Sequence, residues 1–250
     1  MRARARLLKC FFYLLGCAAM PSFAQSSSPL QYDLVFHNAY VSVLRLELPA
    51  KREAPIHDNQ DDVLWIALDD QMLQIEYADN RKDQLWLRAA DVRLFSRFDL
   101  HSIANAGYAP AHSVVIHLEG LRLPFAACEC TPYVDAQYRV CGCSGTHQPL
   151  YWAEVIGDLT ISGGTLQPGQ SLSESGARED TLLVSITASR FQHELGGDWQ
   201  WIPESPIAVG LVPGGVLWMP AGRHRLSNVG SRRATFVTIE FARHLAAQMR

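Results

Sequence analysis

The sequence has few positive charges and no long hydrophobic run once its first 24 residues are set aside. The 250 residues include 22 Lys and Arg against 25 Asp and Glu, and four of the basic residues precede residue 25. The remainder has a net charge of −7, so it offers no basic surface for nucleic acid or anionic lipid. No later stretch approaches the length of a transmembrane helix. We therefore expect a soluble globular protein without nucleic-acid partners or a membrane span.

The motifs of several enzyme classes are also missing. The sequence contains no Ser-His-Asp motif context, no phosphate-binding glycine loop and no paired carboxylates at a recognisable spacing. Six histidines show no ligand spacing with one another, and we expect solvent exposure or local hydrogen bonds for each of them: His37, His112, His117, His147, His193 and His244. These patterns name no substrate.

The first 24 residues have the organisation of an export signal. They begin with basic residues and no acidic ones, continue with an apolar run at 10–20, and end with Ser22 and Ala24 at signal-peptidase spacing. We expect cleavage after Ala24 and a periplasmic or secreted protein. Two alternatives are an uncleaved anchor and, less favoured, a lipoprotein acylated at Cys17, which follows Leu-Leu-Gly.

The rest of the chain predicts an all-β fold. Short segments rich in β-branched and aromatic residues alternate with turn residues at intervals of about ten, as in a sandwich or barrel. The predicted strands are 41–48, 63–68, 72–77, 85–87, 92–95, 114–118, 159–161, 181–187, 207–211, 216–219 and 234–241. Only 242–250 has a helical pattern.

The two halves of the chain resemble each other. The motif His-x-x-x-Asn-x-Gly occurs at 101–107 and again at 224–230, each time after a strand and a turn. An acidic pair lies upstream in both halves, at 61–62 and 179–180. This pattern indicates two copies of one supersecondary unit.

The second copy is similar to a motif of the cupin superfamily, which reads Gly, five residues, Pro-x-Gly, two residues, His, three residues, Asn. Residues 214–228 read Gly-Gly-Val-Leu-Trp-Met-Pro-Ala-Gly-Arg-His-Arg-Leu-Ser-Asn, one residue short before the histidine. The first copy keeps the frame at 96–101 without Pro and Gly. The resemblance implies two tandem antiparallel β-barrels, at 33–119 and 157–241, joined by a Cys-rich linker at 120–156.

The same resemblance implies a metal site in the first barrel. Cupin sites gather three His and one carboxylate on a divalent iron, manganese, nickel or zinc ion, and imidazole and carboxylate suit these metals. The first barrel offers His57, Asp62 and His101, with Asn59 standing where the family has another His. The alternative is that His101 is a turn histidine that is hydrogen-bonded with Asn105.

The second barrel keeps only His224 of this set, joined at most by Glu174 or Glu179. We expect it to hold no metal and its interior to be closed by Leu182, Val184 and Trp218. For His224 the favoured interpretation is a turn histidine that fixes its loop with Asn228.

The predicted linker contains four cysteines, Cys128, Cys130, Cys141 and Cys143, within sixteen residues. Cys-x-Cys places both sulfurs on one side of an extended strand. A hairpin turning near Asp135 would therefore pair Cys128 with Cys143 and Cys130 with Cys141. Disulfides are expected in an exported protein, one tetrahedral zinc ion is the alternative, and a redox-active role is a third.

Three functions are compatible with these observations. The first is a protein that holds a small molecule or a divalent metal in the first barrel, without catalysis or with weak catalysis. The second is a metal-dependent cupin-type oxygenase or isomerase that uses His57, Asp62 and His101. The third is a structural or assembly protein that acts through the cysteine hairpin.

Overall fold

A computed structural model describes residues 31–57, 61–95, 101–119, 130–132, 139–141, 152–156, 159–172, 176–177, 179–196 and 206–242. Within these ranges the chain forms β-strands and no helix, so the predicted all-β class is confirmed. The export signal and nearly all of the predicted C-terminal helix lie outside the described residues. No helix in the described ranges is long and apolar enough to cross a membrane.

The first half contains nine strands in two antiparallel sheets. The five-stranded sheet has the order β1-β2-β9-β4-β7, and the four-stranded sheet has the order β3-β8-β5-β6. The strands are β1 (Gln31–His37), β2 (Val41–Leu48), β3 (Glu53–His57), β4 (Asp62–Ala67), β5 (Gln71–Tyr77), β6 (Lys82–Leu87), β7 (Val92–Phe95), β8 (His101–Asn105) and β9 (Ala111–Leu118).

The second half repeats this topology strand for strand. Its five-stranded sheet has the order β12-β13-β20-β15-β18, and its four-stranded sheet has the order β14-β19-β16-β17. The strands are β12 (Trp152–Ile156), β13 (Leu159–Leu166), β14 (Gly176–Ala177), β15 (Asp180–Ser185), β16 (Ser189–Gly196), β17 (Ile207–Leu211), β18 (Val216–Met219), β19 (Gly222–Asn228) and β20 (Ala234–Phe241).

The two predicted β-barrels are present as pairs of antiparallel sheets, but the sheets do not close among the described residues. Among the described residues, no strand pairing joins the five-stranded sheet of either half to its four-stranded sheet. Each half is instead a pair of facing sheets held together by side chains. Burying one face of each sheet against the other does not require the edge strands to hydrogen-bond across the gap.

Two equivalent sets of hydrogen bonds, one in each half, show that the halves have the same local structure. The Asn105 amide donates to the carbonyl oxygens of Leu48 (2.9 Å) and Ala109 (2.8 Å), and its oxygen accepts from the Gly107 amide. In the second half, Asn228 makes the same three bonds to Leu166, Arg232 and Gly230. The strand registers also place His101 and His224 at equivalent positions, each opposite β5 or its counterpart β16. The predicted internal repeat is therefore present in the fold.

The turn assignment for both histidines is wrong. His101 begins β8 and His224 lies in the middle of β19, four residues before the strand-ending asparagine in each case. The Asn-x-Gly turn follows the strand rather than preceding it. The asparagine therefore bonds to carbonyls beyond the strand end and not to the histidine.

Alternating side chains create three hydrophobic cores. Inward residues of the first half form one core, inward residues of the second half form another, and the outer faces of the two five-stranded sheets form a third, which we call the shared core. The shared core contains Val41, Val43, Leu64, Ile66, Val114, Ile116, Leu118, Leu159, Ile161, Leu182, Val184, Ile186, Val237, Ile239 and Phe241. The two halves are therefore packed sheet against sheet.

The residues expected to close the second interior belong to this shared core. Leu182 and Val184 are fully buried there, and Trp218 packs at its edge, stacked 5.6 Å from Tyr40 of the first half. Leu183 and Met219 face the second interior instead. Both faces of β15 are buried, so an apolar residue on this strand is not by itself a sign of the inward face.

Two short strands lie within the predicted linker, β10 (Cys130–Pro132) and β11 (Arg139–Cys141). They pair antiparallel with Cys130 opposite Cys141, the register on which the disulfide prediction rests. Cys128 and Cys143 lie outside the described residues. The choice between disulfides and zinc stays a prediction.

Candidate functional site

The second half contains a cavity of about 190 Å³ between its two sheets, open to solvent on one side. Its inner end is apolar, with Leu226 and Phe236 buried in the second-half core. Strands β13, β15, β18, β19 and β20 all contribute inward side chains. Ser162, Gly163, Gly164, Leu172, Thr181, Met219, His224, Leu226, Phe236, Thr238 and Glu240 line it.

Glycines on β13 help to keep this space open. Gly164 lies opposite Phe236 in the β13–β20 ladder, and a Cβ at Gly164 would lie 2.9 Å from the phenyl ring. Such a contact is too close for a carbon pair. Any larger residue at position 164 would therefore displace Phe236 or occupy the cavity.

The polar lining consists of hydroxyls, one carboxylate and one imidazole. Thr181 is buried and its hydroxyl donates to the carbonyl oxygen of Glu179 at 3.3 Å. The Thr238 hydroxyl donates to the carbonyl oxygen of Ser162 at 3.4 Å. Both hydroxyl protons are thus directed to the backbone, while the hydroxyl oxygens retain acceptor capacity.

His224 is held by bonds to both of its ring nitrogens. Its Nε2 contacts the carbonyl oxygen of Pro220, and its Nδ1 lies 2.8 Å from Nε2 of His193, whose ring stacks on it at 5.0 Å. Because a carbonyl only accepts, the His224 proton lies on Nε2, and Nδ1 accepts the proton of His193. Burial lowers the pKa of His193, and the neighbouring His224 lowers it further.

Glu240 provides the carboxylate of the cavity. It lies opposite Thr181 in the β15–β20 ladder, and Glu179 is two residues before Thr181. Burial raises the pKa of Glu240, and repulsion from the Glu179 carboxylate raises it further. Glu240 is therefore the acidic group of the described lining, with Glu179 as its acidic neighbour.

Three of these positions carry apolar side chains in the first half. A comparison of the strand registers of the two halves makes Thr181 equivalent to Val63, Thr238 equivalent to Val115 and Gly164 equivalent to Leu46. All three first-half residues are buried in that half's core. Trp65 adds its indole to the same interior, with its ring edge-on to Phe95 at 6.2 Å. The interior expected to bind a ligand is thus the one built from larger apolar residues.

The three predicted metal ligands of the first half differ in the face of the sheet and the surroundings in which they lie. His101 is buried, stacked on Phe95 at 5.2 Å and close to Tyr77. The backbone of His57 lies opposite that of His101 in the β3–β8 ladder. On β4, Leu64 and Ile66 face the shared core, whereas Val63 and Trp65 face the interior. Because side chains alternate along a strand, Asp62 lies on the same face as Leu64 and Ile66. That alternation places Asp62 on the outer face of β4, away from His101.

The described residues do not fit a divalent metal in either half. They contain no group of three His, Cys, Asp or Glu that could hold one. In the second half, both nitrogens of His224 are engaged with protein atoms, so no lone pair is directed at a metal. The His57 side chain lies outside the description, and the set of His57, Asp62 and His101 stays a prediction.

Sequence reasoning did not identify the lining of the second cavity. His193 showed no ligand spacing because it reaches His224 across two neighbouring strands, 31 residues away in the chain. The usable signal was a difference between the copies. At equivalent positions the second half carries Gly164, Thr181 and Thr238, which are smaller or more polar than the aliphatic residues of the first half.

No protein-family model matches the chain, and no curated protein matches it. Solved structures do match. A cupin 2 conserved barrel domain protein from Leptotrichia buccalis is 11% identical over 86% of this chain and 89% of its own, with a TM-score of 0.51. Oxalate decarboxylase from Bacillus subtilis is 13% identical over 82% of this chain and 68% of its own, with a TM-score of 0.57. Procruciferin, an 11S globulin from Brassica napus, is 11% identical over 82% and 77%, with a TM-score of 0.56.

These three proteins differ in what their names describe: a barrel domain, an enzyme and a globulin. At such low identity the likeness concerns the fold alone. A shared fold hosts unrelated functions, and function has to be argued from the site.

Proposed function

Because the chain has the fold of the cupin superfamily, we propose that it is an exported cupin-type protein that binds a small organic molecule in its second half. This proposal moves the binding site from the first half, where the sequence pattern located it, to the second. Ligand binding without catalysis is the activity that we assign to it.

The cavity itself supports this proposal most strongly. It combines an apolar end at Leu226 and Phe236 with a few polar groups at Thr181, His224 and Glu240. Mostly apolar walls with few polar groups are typical of small-molecule sites. A volume of about 190 Å³ is suited to a compact ligand.

Export is supported by the first 24 residues alone. The basic start, the apolar run and the small residues Ser22 and Ala24 are typical of a cleaved signal. N-terminal sequencing of the protein from the producing cell should find Gln25 as the first residue. Finding Met1 or an acylated Cys17 would contradict this part of the proposal.

Binding can be tested with a variant that gives the second interior the side chains of the first. Ser162→Leu with Thr238→Val copies Leu44 and Val115, the equivalent first-half residues. We expect aromatic compounds of one ring, with neutral, cationic and anionic substituents, to include binders detected by ligand-observed NMR. The binding signals should disappear in the double variant, because the leucine side chain at position 162 occupies the cavity and the valine at position 238 removes a polar group.

Ser231→Leu provides the matched control, since Ser231 is exposed in the loop after β19 and does not line the cavity. It should retain binding. Circular dichroism of both variants should match the wild type, so that loss of binding is not loss of the fold. Binding that persists in the double variant, or a complete absence of binders, would contradict the proposal.

A metal-dependent enzyme is the second candidate, and one observation favours it. His57 and His101 are cross-strand partners in the backbone of the first half. One of the matched structures concerns the Mn(II) centres of oxalate decarboxylase. Elemental analysis measures the metal content of the wild type, His101→Ala and Cys128→Ser. It distinguishes a metal site in the first half from one in the cysteine hairpin. Metal lost only with His101 supports this candidate, and metal lost only with Cys128 assigns it to the hairpin.

A further inference from the structure

The cavity of the second half is lined by groups that accept hydrogen bonds and carry negative charge. The described lining includes Glu240 but no Lys or Arg, and Glu179 lies close enough to act on the Glu240 carboxyl. An anionic ligand would meet like charge there, at a cost that increases in a partly buried site.

Three side-chain donors of the lining are used within the protein. The Thr181 and Thr238 hydroxyls donate to backbone carbonyls, and the His224 Nε2 contacts the Pro220 carbonyl. His224 Nδ1 is occupied by His193. A ligand whose polar group only accepts therefore finds few protons directed at it, whereas a ligand rich in N–H groups finds the Glu240 carboxylate and two hydroxyl oxygens.

We propose that the cavity selects a small organic amine, with its ammonium group between Glu240 and the Thr181 and Thr238 hydroxyls and its apolar part against Leu226 and Phe236. This inference rests on the proposed binding function and adds the chemical class of the ligand. An ammonium has three N–H donors and a full positive charge, which match the acceptors and the glutamates. A hydrogen bond to a charged partner is stronger than one between neutral groups.

Three probes of nearly equal shape test the charge preference: benzylamine, benzyl alcohol and benzoate. Their dissociation constants are measured at neutral pH by ligand-observed NMR titration of the full-length mature protein. We expect benzylamine to bind roughly tenfold more tightly than benzyl alcohol, the ratio that an added charged hydrogen bond provides. Benzoate should bind more weakly than the alcohol.

Glu240→Gln tests whether the carboxylate is responsible. The substitution keeps the shape and removes the charge, so benzylamine and benzyl alcohol should then bind equally within about threefold, a difference well below one charged hydrogen bond. Glu47→Gln is the control. Glu47 is exposed on β2 of the first half and lies outside the cavity, so this variant should retain the wild-type ratio.

Each outcome bears on a different claim. Equal or tighter binding of benzyl alcohol or benzoate by the wild type would overturn the amine preference and leave the binding function standing. A benzylamine preference that survives Glu240→Gln would likewise overturn it. If none of the three probes binds the folded protein at millimolar concentration, both the ligand class and the binding function fail.

Discussion

At the scale of single residues, the two asparagines that end β8 and β19 have the clearest structural role. Each is fully buried and bonds to the carbonyl that ends β2 or β13 and to one carbonyl and one amide of the following turn. The glycine two residues later leaves room for the asparagine oxygen, since a Cβ at Gly107 or Gly230 would approach it to 3.0 or 3.1 Å. The His-x-x-x-Asn-x-Gly repeat is therefore in large part a turn-forming motif.

Replacing Asn105 or Asn228 with Ala should destabilise the protein strongly and similarly. Each change leaves buried backbone groups without partners, and such groups cost about 1–3 kcal/mol each. We expect a loss of about 3 kcal/mol or more in the free energy of unfolding, measured by urea denaturation. Ser231→Ala, at an exposed site in the same loop, should change it little. A loss at only one asparagine would contradict their equivalence.

The His193–His224 pair should make stability depend on pH. Burial and His224 lower the pKa of His193 in the folded protein. Around pH 6.5, the usual histidine value, the unfolded chain therefore binds more protons than the folded one. Stability should fall as pH decreases through that value toward the lowered pKa. His193→Gln removes the titrating ring, so its urea midpoint should fall less between pH 7.5 and 5.5 than that of the wild type. An unchanged slope would contradict this assignment.

At the scale of secondary structure elements, strand β15 shows how neighbouring residues serve different cores. Leu182 faces the shared core and Leu183 faces the interior of the second half. Both are fully buried, and their side chains are identical. Their different environments follow from the period of two along a strand.

Leu182→Ala and Leu183→Ala should therefore increase amide exchange in different strands. Each should cost about 2–5 kcal/mol, the usual range for a buried leucine. Amide exchange measured by mass spectrometry should increase in β9 of the first half after Leu182→Ala, because Ile116 and Leu118 share that core. After Leu183→Ala the increase should centre on β16 and β19, which hold Phe191 and Leu226. Identical exchange maps would contradict the facing of β15.

At the scale of the whole molecule, two sheet pairs are joined through one apolar interface. The turn at Gly214 reaches across from the second half, and a Cβ there would lie 3.1 Å from Leu68, 3.3 Å from Arg45 and 3.3 Å from Val114 of the first half. Gly214 has φ +76, where a Cβ is strained in any surroundings. Backbone conformation and packing between the halves thus both require glycine.

A pair of glycine substitutions separates these two requirements. Gly169 has φ +78 and an open environment, so Gly169→Ala should cost about 1–2 kcal/mol from backbone strain alone. Gly214→Ala should cost about 1–3 kcal/mol more, the usual range for overpacking. Differential scanning calorimetry measures both, and a single shared transition should shift in each variant. An equal loss of stability in the two variants would contradict the packing requirement at Gly214.

The sequence by itself determined the fold class and the internal repeat of this protein. Strands such as β2, β17, β18 and β20 carry enough alternation to be predicted to the residue. The cupin resemblance was also readable, because Gly214 and Asn228 of the second-half motif shape turns and are therefore dictated locally. Strands β8, β16 and β19 were missed because they contain His, Glu, Arg and Asn, which strand propensity disfavours but which the sheet ladder accommodates.

Only the tertiary structure decided where the cavity lies. The interior of each half is built from strands far apart in the chain, and its free volume depends on the summed sizes of side chains that meet there. Leu44 and Leu46 occupy the first interior, whereas the smaller Ser162 and Gly164 leave space in the second one. The sequence indicated which residues alternate along a strand, but not which face of a strand buried on both sides turns inward. That choice follows from the packing of the two five-stranded sheets against each other, which no local pattern encodes.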